Sequence, residues 1–210
     1  MDDVEQTSAR LGNSFSEAVD FARVRHAGQM RKGTNIPYLS HLLAVASLSI
    51  EDAATDPRLC DRLEEIAVAA LLHDLIEDTE TVVAEIAVNF GDEVARIVVA
   101  CSDRDSGEEE AWKVRKARYL VHLQDADDAV LCVSLADKRH NARCIVRDLR
   151  AVGIDGEVGS FWQRFNAGPD QQVDQYRALA EVFLQRRPGA AANEFRATVD
   201  EIAALVSEVD

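Results

Sequence analysis

The chain has 210 residues, of which 47% are hydrophobic and 29% charged, with 38 acidic against 23 basic side chains and a net charge of −15. A chain this long forms one domain, or two small ones, and buries roughly 70% of its unfolded surface without covalent staples. The acidic balance excludes a general nucleic-acid binder and a protein that docks on anionic lipid, because both partners select a basic face. Only 4 prolines and 6% aromatics, beside abundant Ala, Leu, Val and Glu, indicate an all-α protein.

Met1-Asp2-Asp3 is acidic where a signal peptide would be basic. The longest apolar runs, such as Ile66 to Leu72, are too short for a membrane span. Cys60, Cys101, Cys132 and Cys144 are scattered with no C-x-x-C pair, so they read as reduced packing residues. A cytoplasmic location, or a similar reducing compartment, is expected.

In chain order, residues 1–13 are expected to be a flexible N-terminus. Ser14-Phe-Ser-Glu17 has capping-box spacing and should open a helix running to His26. Residues 28–37 hold Gly33, Asn35 and Pro37 and predict a loop, which carries the basic pair Arg31 and Lys32. A second helix is expected from Ser40 to Asp52, on the period of Leu42, Val45, Ala46 and Ser49. Asp56-Pro57 should start a third helix by placing proline in its first turn. That helix ends in the run Ile66 to Leu72, which is too apolar for a surface and marks the central buried helix.

Val82–Val88 and Gly91–Cys101 predict two short helices, followed by a polar, acidic loop over Ser102–Glu110. Ala111–Gln124 predicts a helix bearing Lys113, Arg115, Lys116 and Arg118. Ala126 to about Arg150 predicts a longer one, with Leu131, Leu135 and Ile145 inside. A loose connection with Phe161, Trp162 and Phe165 then leads to helices around Val173–Phe183 and Asn193–Val209. No strand, repeat or low-complexity tract stands out. The expected architecture is a compact helical bundle of about nine or ten helices. Residues 14–150 would form its core, with 151–210 a helical extension packed on it.

The strongest chemical feature is His73-Asp74-Leu-Ile-Glu77-Asp78, directly after the buried run. On a continuous helix His73 would neighbour Glu77, and Asp74 would neighbour Asp78. Carboxylates gathered so closely repel one another, and a divalent cation resolves the repulsion. The competing reading is a solvated helix end with an acidic cap. Asp137 follows the apolar segment Val130–Ala136, and Asn141 lies one turn further on the same face. A buried Asp is paired or ligates a metal; on Asp137 alone, a helix cap or a salt bridge to Arg143 is as good a reading as a ligand. His41 would be structural by itself, but with a second imidazole and two carboxylates it completes a mixed nitrogen and oxygen site. Such donors suit Mn or Fe, and also Mg or Zn. Among the other histidines, His26 packs or lines a pocket, His122 is on the surface, and His140 touches either a ligand or solvent.

Five segments in order carry a resemblance. They are His26-Ala-Gly-Gln-Met-Arg-Lys32; Pro37-Tyr38 with His41; Ala69-Ala-Leu-Leu-His-Asp-Leu-Ile-Glu-Asp-Thr79; Phe90-Gly-Asp-Glu-Val94; and Leu135-Ala-Asp-Lys-Arg-His-Asn-Ala-Arg143. Together, across Ser14 to Leu149, they resemble the HD hydrolase superfamily, named for its His-Asp pair. The nearer resemblance is to the (p)ppGpp hydrolase domain of RelA/SpoT-type enzymes and to small stand-alone alarmone hydrolases such as the metazoan SpoT homologs.

The resemblance implies metal ligands His41, His73, Asp74 and Asp137, holding Mn²⁺, with Fe, Zn or Mg as other candidates. It implies that Glu77 and Asp78 position or activate the attacking water, and that Arg31, Lys32 and Asn141 face the nucleotide. The implied reaction removes the 3′-pyrophosphate from guanosine tetraphosphate and pentaphosphate, the alarmones of the stringent response, by metal-activated water. Lys113, Lys116, Lys138 and Arg143 could add positive charge for the substrate, or simply face solvent. Leu42 stands where a proline is common, Cys144 where a hydroxyl residue is frequent, and the loop from Arg31 to His41 is about one residue longer. The last two departures keep open a different nucleotide substrate: an adenosine alarmone, NADPH or a nucleoside phosphate. A non-catalytic helical regulatory module is a further alternative, disfavoured because every ligand position is filled. The tail after Leu149 is too short for the synthetase domain of the long enzymes, so a hydrolase alone is expected, with a small-molecule partner and no nucleic acid or membrane. Oligomeric state is not readable.

Overall fold

The computed structural model describes residues 11–102, 112–155 and 161–207. Among the described residues the regular structure is helical, as expected, with one isolated antiparallel bridge between Met30 and Pro37 and no strand. The helices are α1 (Asn13–Arg25), α2 (Leu39–Ala54), α3 (Leu63–Leu72), the single turn α4 (Leu75–Asp78), α5 (Val83–Phe90), α6 (Asp92–Cys101), α7 (Trp112–Asp125), α8 (Asp128–Asp155), α9 (Pro169–Arg186) and α10 (Ala190–Ser207). The loop expected over Ser102–Glu110 lies almost wholly outside the described residues, as do residues 1–10 of the expected flexible N-terminus.

The apolar run of α3 is the centre of the molecule. Ile66 through Leu72 are all buried. Helices α1, α2, α6 and α8 pack around α3, so the segment with no polar face contacts apolar neighbours on every side. Helix α10 lies along α8, and α9 packs on both α10 and α7. Phe161, Phe183 and Phe195 join the same apolar cluster as Ala18 and Leu42, so the C-terminal helices share one core with the rest.

Three local expectations are corrected. Ser14 does not cap α1: the helix begins at Asn13 without a side-chain cap of its own. Instead Glu64 of α3 accepts hydrogen bonds from the Gly12 N–H at 2.7 Å and the Phe15 N–H at 3.3 Å. A carboxylate from another helix satisfies the exposed N–H groups and offsets the helix dipole there. Asp56-Pro57 opens a tight turn, not α3, because the Asp56 carboxylate accepts from the Arg58 N–H at 3.0 Å and the Leu59 N–H returns to the Asp56 carbonyl at 3.0 Å. A 3₁₀ turn, Cys60–Arg62, then leads into α3. Finally, the long helix does not stop near Arg150 but runs to Asp155.

The basic loop is ordered by its own turn. The Arg31 N–H donates to the Ile36 carbonyl at 2.8 Å, and the Thr34 N–H to the Arg31 carbonyl at 2.9 Å. Gly33 sits inside with φ +73°, which L side chains rarely adopt. Gly91 (φ +93°) similarly separates α5 from α6. No helix among the described residues is long and apolar enough to cross a membrane.

Candidate metal centre and nucleotide cavity

Three packed helices bring the four predicted ligands together. His41 projects from α2, His73 follows the last residue of α3, and Asp137 projects from α8. Asp74 precedes the single turn α4. His41 Nε2 lies 3.3 Å from Asp74 Oδ2 and 3.3 Å from Asp137 Oδ1. His73 Nε2 lies 3.0 Å from Asp74 Oδ2 and 3.7 Å from Asp137 Oδ1. His41, His73 and Asp137 are buried, at 1%, 3% and 6% exposure.

The donor set fits a divalent cation on one observation in particular. The His73 Nδ1–H donates to the Ala70 carbonyl at 2.8 Å, which fixes the ring and turns Nε2 toward the carboxylates. That Nε2 is fully buried and makes no hydrogen bond. His41, His73 and Asp74 offer ligand atoms within 4.8 Å of one another, two imidazole nitrogens and a carboxylate oxygen, with Asp137 adjoining. Burial pushes the Asp74 carboxyl up, but the His73 and His41 imidazoles outweigh it and hold the group far below the usual carboxylate range. Burial pushes the His73 imidazole down, and Asp74 with Asp137 reverses that, raising it well above its ordinary value. Both shifts express one requirement: two sequestered carboxylates need positive charge among them.

Polar side chains brace the centre. The Tyr38 hydroxyl donates to Asp74 Oδ2 at 2.6 Å. Burial, then the neighbouring Asp74 and Asp78, drives its phenol strongly upward, so it stays a donor. Asn141 Nδ2 donates to Asp137 Oδ1 at 2.6 Å, and Lys138 Nζ to Asp137 Oδ2 at 2.6 Å. Arg31 Nη2 donates to Asn141 Oδ1 at 3.1 Å, which links the basic loop to the centre.

Beside the centre opens a cavity of about 340 Å³. Tyr38 and Asn141 form the wall it shares with the centre, and Arg31, Lys32, Arg115, Lys116 and Arg164 also line it. Phe161, Phe165 and Tyr176 supply aromatic surface, and among the described residues Asp148 is the acidic one that lines it. Among the described residues five cations line one cavity in a chain of net charge −15, a local positive surface that could offset the charge of a polyanion. Asn141, Cys144 and Asp148 reach it from α8 because positions three and four apart share a helix face.

The family model described as HD domain matches residues 18–172. The chain belongs to the HD domain family. Its similar relatives include the guanosine-3′,5′-bis(diphosphate) 3′-pyrophosphohydrolase MESH1 of Danio rerio, 38% identical over 183 residues, covering 81% of this chain and 92% of the relative. The human protein of that name is 33% identical over 180 residues, covering 81% and 93%. Among solved structures, a metazoan ortholog of SpoT that hydrolyses ppGpp aligns with TM-score 0.66 at 26% identity, covering 95% of this chain and 98% of that one.

Within this HD domain the predicted site residues divide. His41, His73, Asp74 and Asp137 converge, and Arg31, Lys32 and Asn141 line the adjoining cavity. Glu77 and Asp78 are exposed; α3 ends before His73, which interrupts the continuous helix expected to join His73 to Glu77, whereas Asp74 and Asp78 share one turn, the Asp78 N–H donating to the Asp74 carbonyl at 2.9 Å. Asp78 Oδ2 accepts from Gln29 Nε2 at 2.8 Å. Of the loosely placed cations, Lys116 lines the cavity, Lys138 pairs with Asp137, and Lys113 is exposed. Arg143 pairs with Glu194 of α10, which removes it both from the cavity and from the pairing with Asp137 that was weighed. Sequence reasoning gave no role to Tyr38, Gln29, Arg164 or Tyr176. Tyr38 and Gln29 lay inside quoted motifs, whereas Arg164 and Tyr176 carried no signal. His140 half-buries against His41, and His122 is exposed, its Nε2 2.9 Å from the Ala100 carbonyl.

Proposed function

We propose that this HD-domain protein is a metal-dependent phosphohydrolase that removes the 3′-pyrophosphate from guanosine tetraphosphate and pentaphosphate. The single observation that carries the reading is adjacency: a buried two-imidazole, two-carboxylate cluster shares Tyr38 and Asn141 with a cavity lined by five cations. The named activity of the relatives supports it as well.

His41, His73, Asp74 and Asp137 would hold the cation, with Mn²⁺ the assignment we favour on donor chemistry. Bound there, a divalent cation lowers the pKa of water and neutralises charge on a phosphoryl oxygen. Arg31 and Lys32 bind the phosphates, and Asn141 orients the nucleotide while holding Asp137. Glu77 and Asp78 accept and relay the proton of the attacking water. The water oxygen bonds to phosphorus, the bond from phosphorus to the 3′ oxygen breaks, the 3′ oxygen takes up the relayed proton as a hydroxyl, and pyrophosphate is released. Phe161, Phe165 and Tyr176 offer apolar surface to the base. We further propose that residues 14–150 form the catalytic core, that 151–210 complete the cavity as a helical extension, and that the protein works in the cytoplasm.

The test is pyrophosphate release from guanosine tetraphosphate by metal-stripped protein, with and without Mn²⁺, beside Asp74→Ala. Mn²⁺-dependent release that the variant loses is expected. Absence of release while Mn²⁺ binds would move the substrate to another nucleotide, and absence of both would overturn the enzymatic reading.

A further inference from the structure

His41 and His140 meet nitrogen to nitrogen. Their Nδ1 atoms are 2.7 Å apart, and the ring centroids 4.9 Å. One ring must bring an N–H and the other a lone pair. His41 Nε2 faces Asp74 and Asp137, and it can ligate a cation only with the ring proton on Nδ1. His140 Nδ1 is then the acceptor. Arg31 points the same way: its Nη1, which can only donate, approaches His140 Nδ1 at 3.5 Å. A proton on that nitrogen would face the Arg31 donor instead of accepting from it. The His140 proton therefore sits on Nε2, 3.7 Å from Cys144 Sγ, a weak acceptor.

We infer that His140 is a positioning residue that accepts the Nδ1–H of His41 and so holds the His41 Nε2 lone pair toward the metal centre. The inference rests on the metal site proposed above. His73 has a backbone carbonyl for this purpose, Ala70, whereas His41 has a side chain. His41 is thus the ligand whose orientation a single substitution can release, and the α8 segment that supplies Asp137 also supplies its brace.

The probe is Mn²⁺ alone, titrated calorimetrically into metal-stripped full-length protein. His140→Ala should weaken Mn²⁺ binding about 10–100-fold. His140→Asn places an acceptor oxygen near the position of Nδ1 and should recover most of the loss, while thermal midpoints of the metal-free proteins stay together. Nitrogen-15 NMR of the Zn²⁺-loaded wild type provides a second readout that needs no variant: His41 Nδ1 should carry a proton and His140 Nδ1 none. Wild-type affinity in His140→Ala, no recovery in a folded His140→Asn, or an unprotonated His41 Nδ1 would each overturn the inference. If wild type itself binds no metal, the proposed function falls and the inference with it. If His140→Ala does not fold, the NMR result decides.

Discussion

Arg164 crosses directly over Gly33: a Cβ built on Gly33 would lie 2.3 Å from Arg164 Cδ. The guanidinium beyond it stacks on Phe161, 4.3 Å from the ring centroid, and pairs with Asp148 at 3.1 Å. The basic loop and the C-terminal wall of the cavity are therefore in contact through the absence of a side chain. Gly33→Ala forces a positive φ on alanine, about 1–2 kcal/mol, and displaces Arg164. We expect KM for the nucleotide to rise several-fold with kcat less affected, and steady-state kinetics on guanosine tetraphosphate will show it. An unchanged KM would remove the loop-to-wall contact from substrate binding.

Tyr38→Phe deletes only the hydroxyl that donates to Asp74. A hydrogen bond to a charged acceptor contributes about 1.5–3 kcal/mol, so kcat/KM should fall roughly 10–100-fold. The ring still stacks on His26, with centroids 5.1 Å apart, so the circular dichroism spectrum should not change. Comparing kcat/KM with the spectrum separates loss of positioning from loss of fold.

Removing the metal should lower stability as well as activity. A ligand that binds only the folded state at 100 times its dissociation constant adds about 2.7 kcal/mol. Chelator-treated protein should therefore melt several degrees lower, and Mn²⁺ should restore the midpoint in wild type but not in Asp74→Ala. Equal midpoints with and without Mn²⁺ would count against the centre.

Asp56 gives a pH dependence away from the site. Hydrogen bonds from Arg58, and the buried Arg187 guanidinium at 2.9 Å, hold its carboxyl well below the usual range. Because the folded-state value is depressed, the contribution is full above the unfolded value near 4 and is lost as pH falls through the folded value. Asp56→Asn should cost about 1–3 kcal/mol at neutral pH, because it leaves Arg187 without its ionised partner. Urea melts from pH 7 down to pH 3 should show that difference shrinking; a constant difference would mean the ion pair contributes nothing.

The convergence of His41, His73, Asp74 and Asp137, the candidate metal centre, was legible because its signal is local: an apolar run that ends in His-Asp, and a second that ends in Asp137. The cavity was legible only in part. Arg31 and Lys32 stood out as a basic pair in an acidic chain, but Arg164 and Tyr176 reach the cavity by the path of the chain after α8, which no spacing encodes. The Tyr38–Asp74 and His41–His140 contacts depend on how α2 approaches α3 and α8, a tertiary property. The capping box at Ser14 misled for a related reason. Local pattern allowed a self-made start, and Glu64, 52 residues from Gly12, supplied a better one.

That distant cap bears on how the chain folds. Helix α1 has no residue of its own to satisfy its first N–H groups, and at 13 residues it is marginal as an isolated helix. Its first turn becomes stable only when Glu64 is in place. Capping α1 and docking it on α3 are therefore one event, because the same Glu64 side chain serves both.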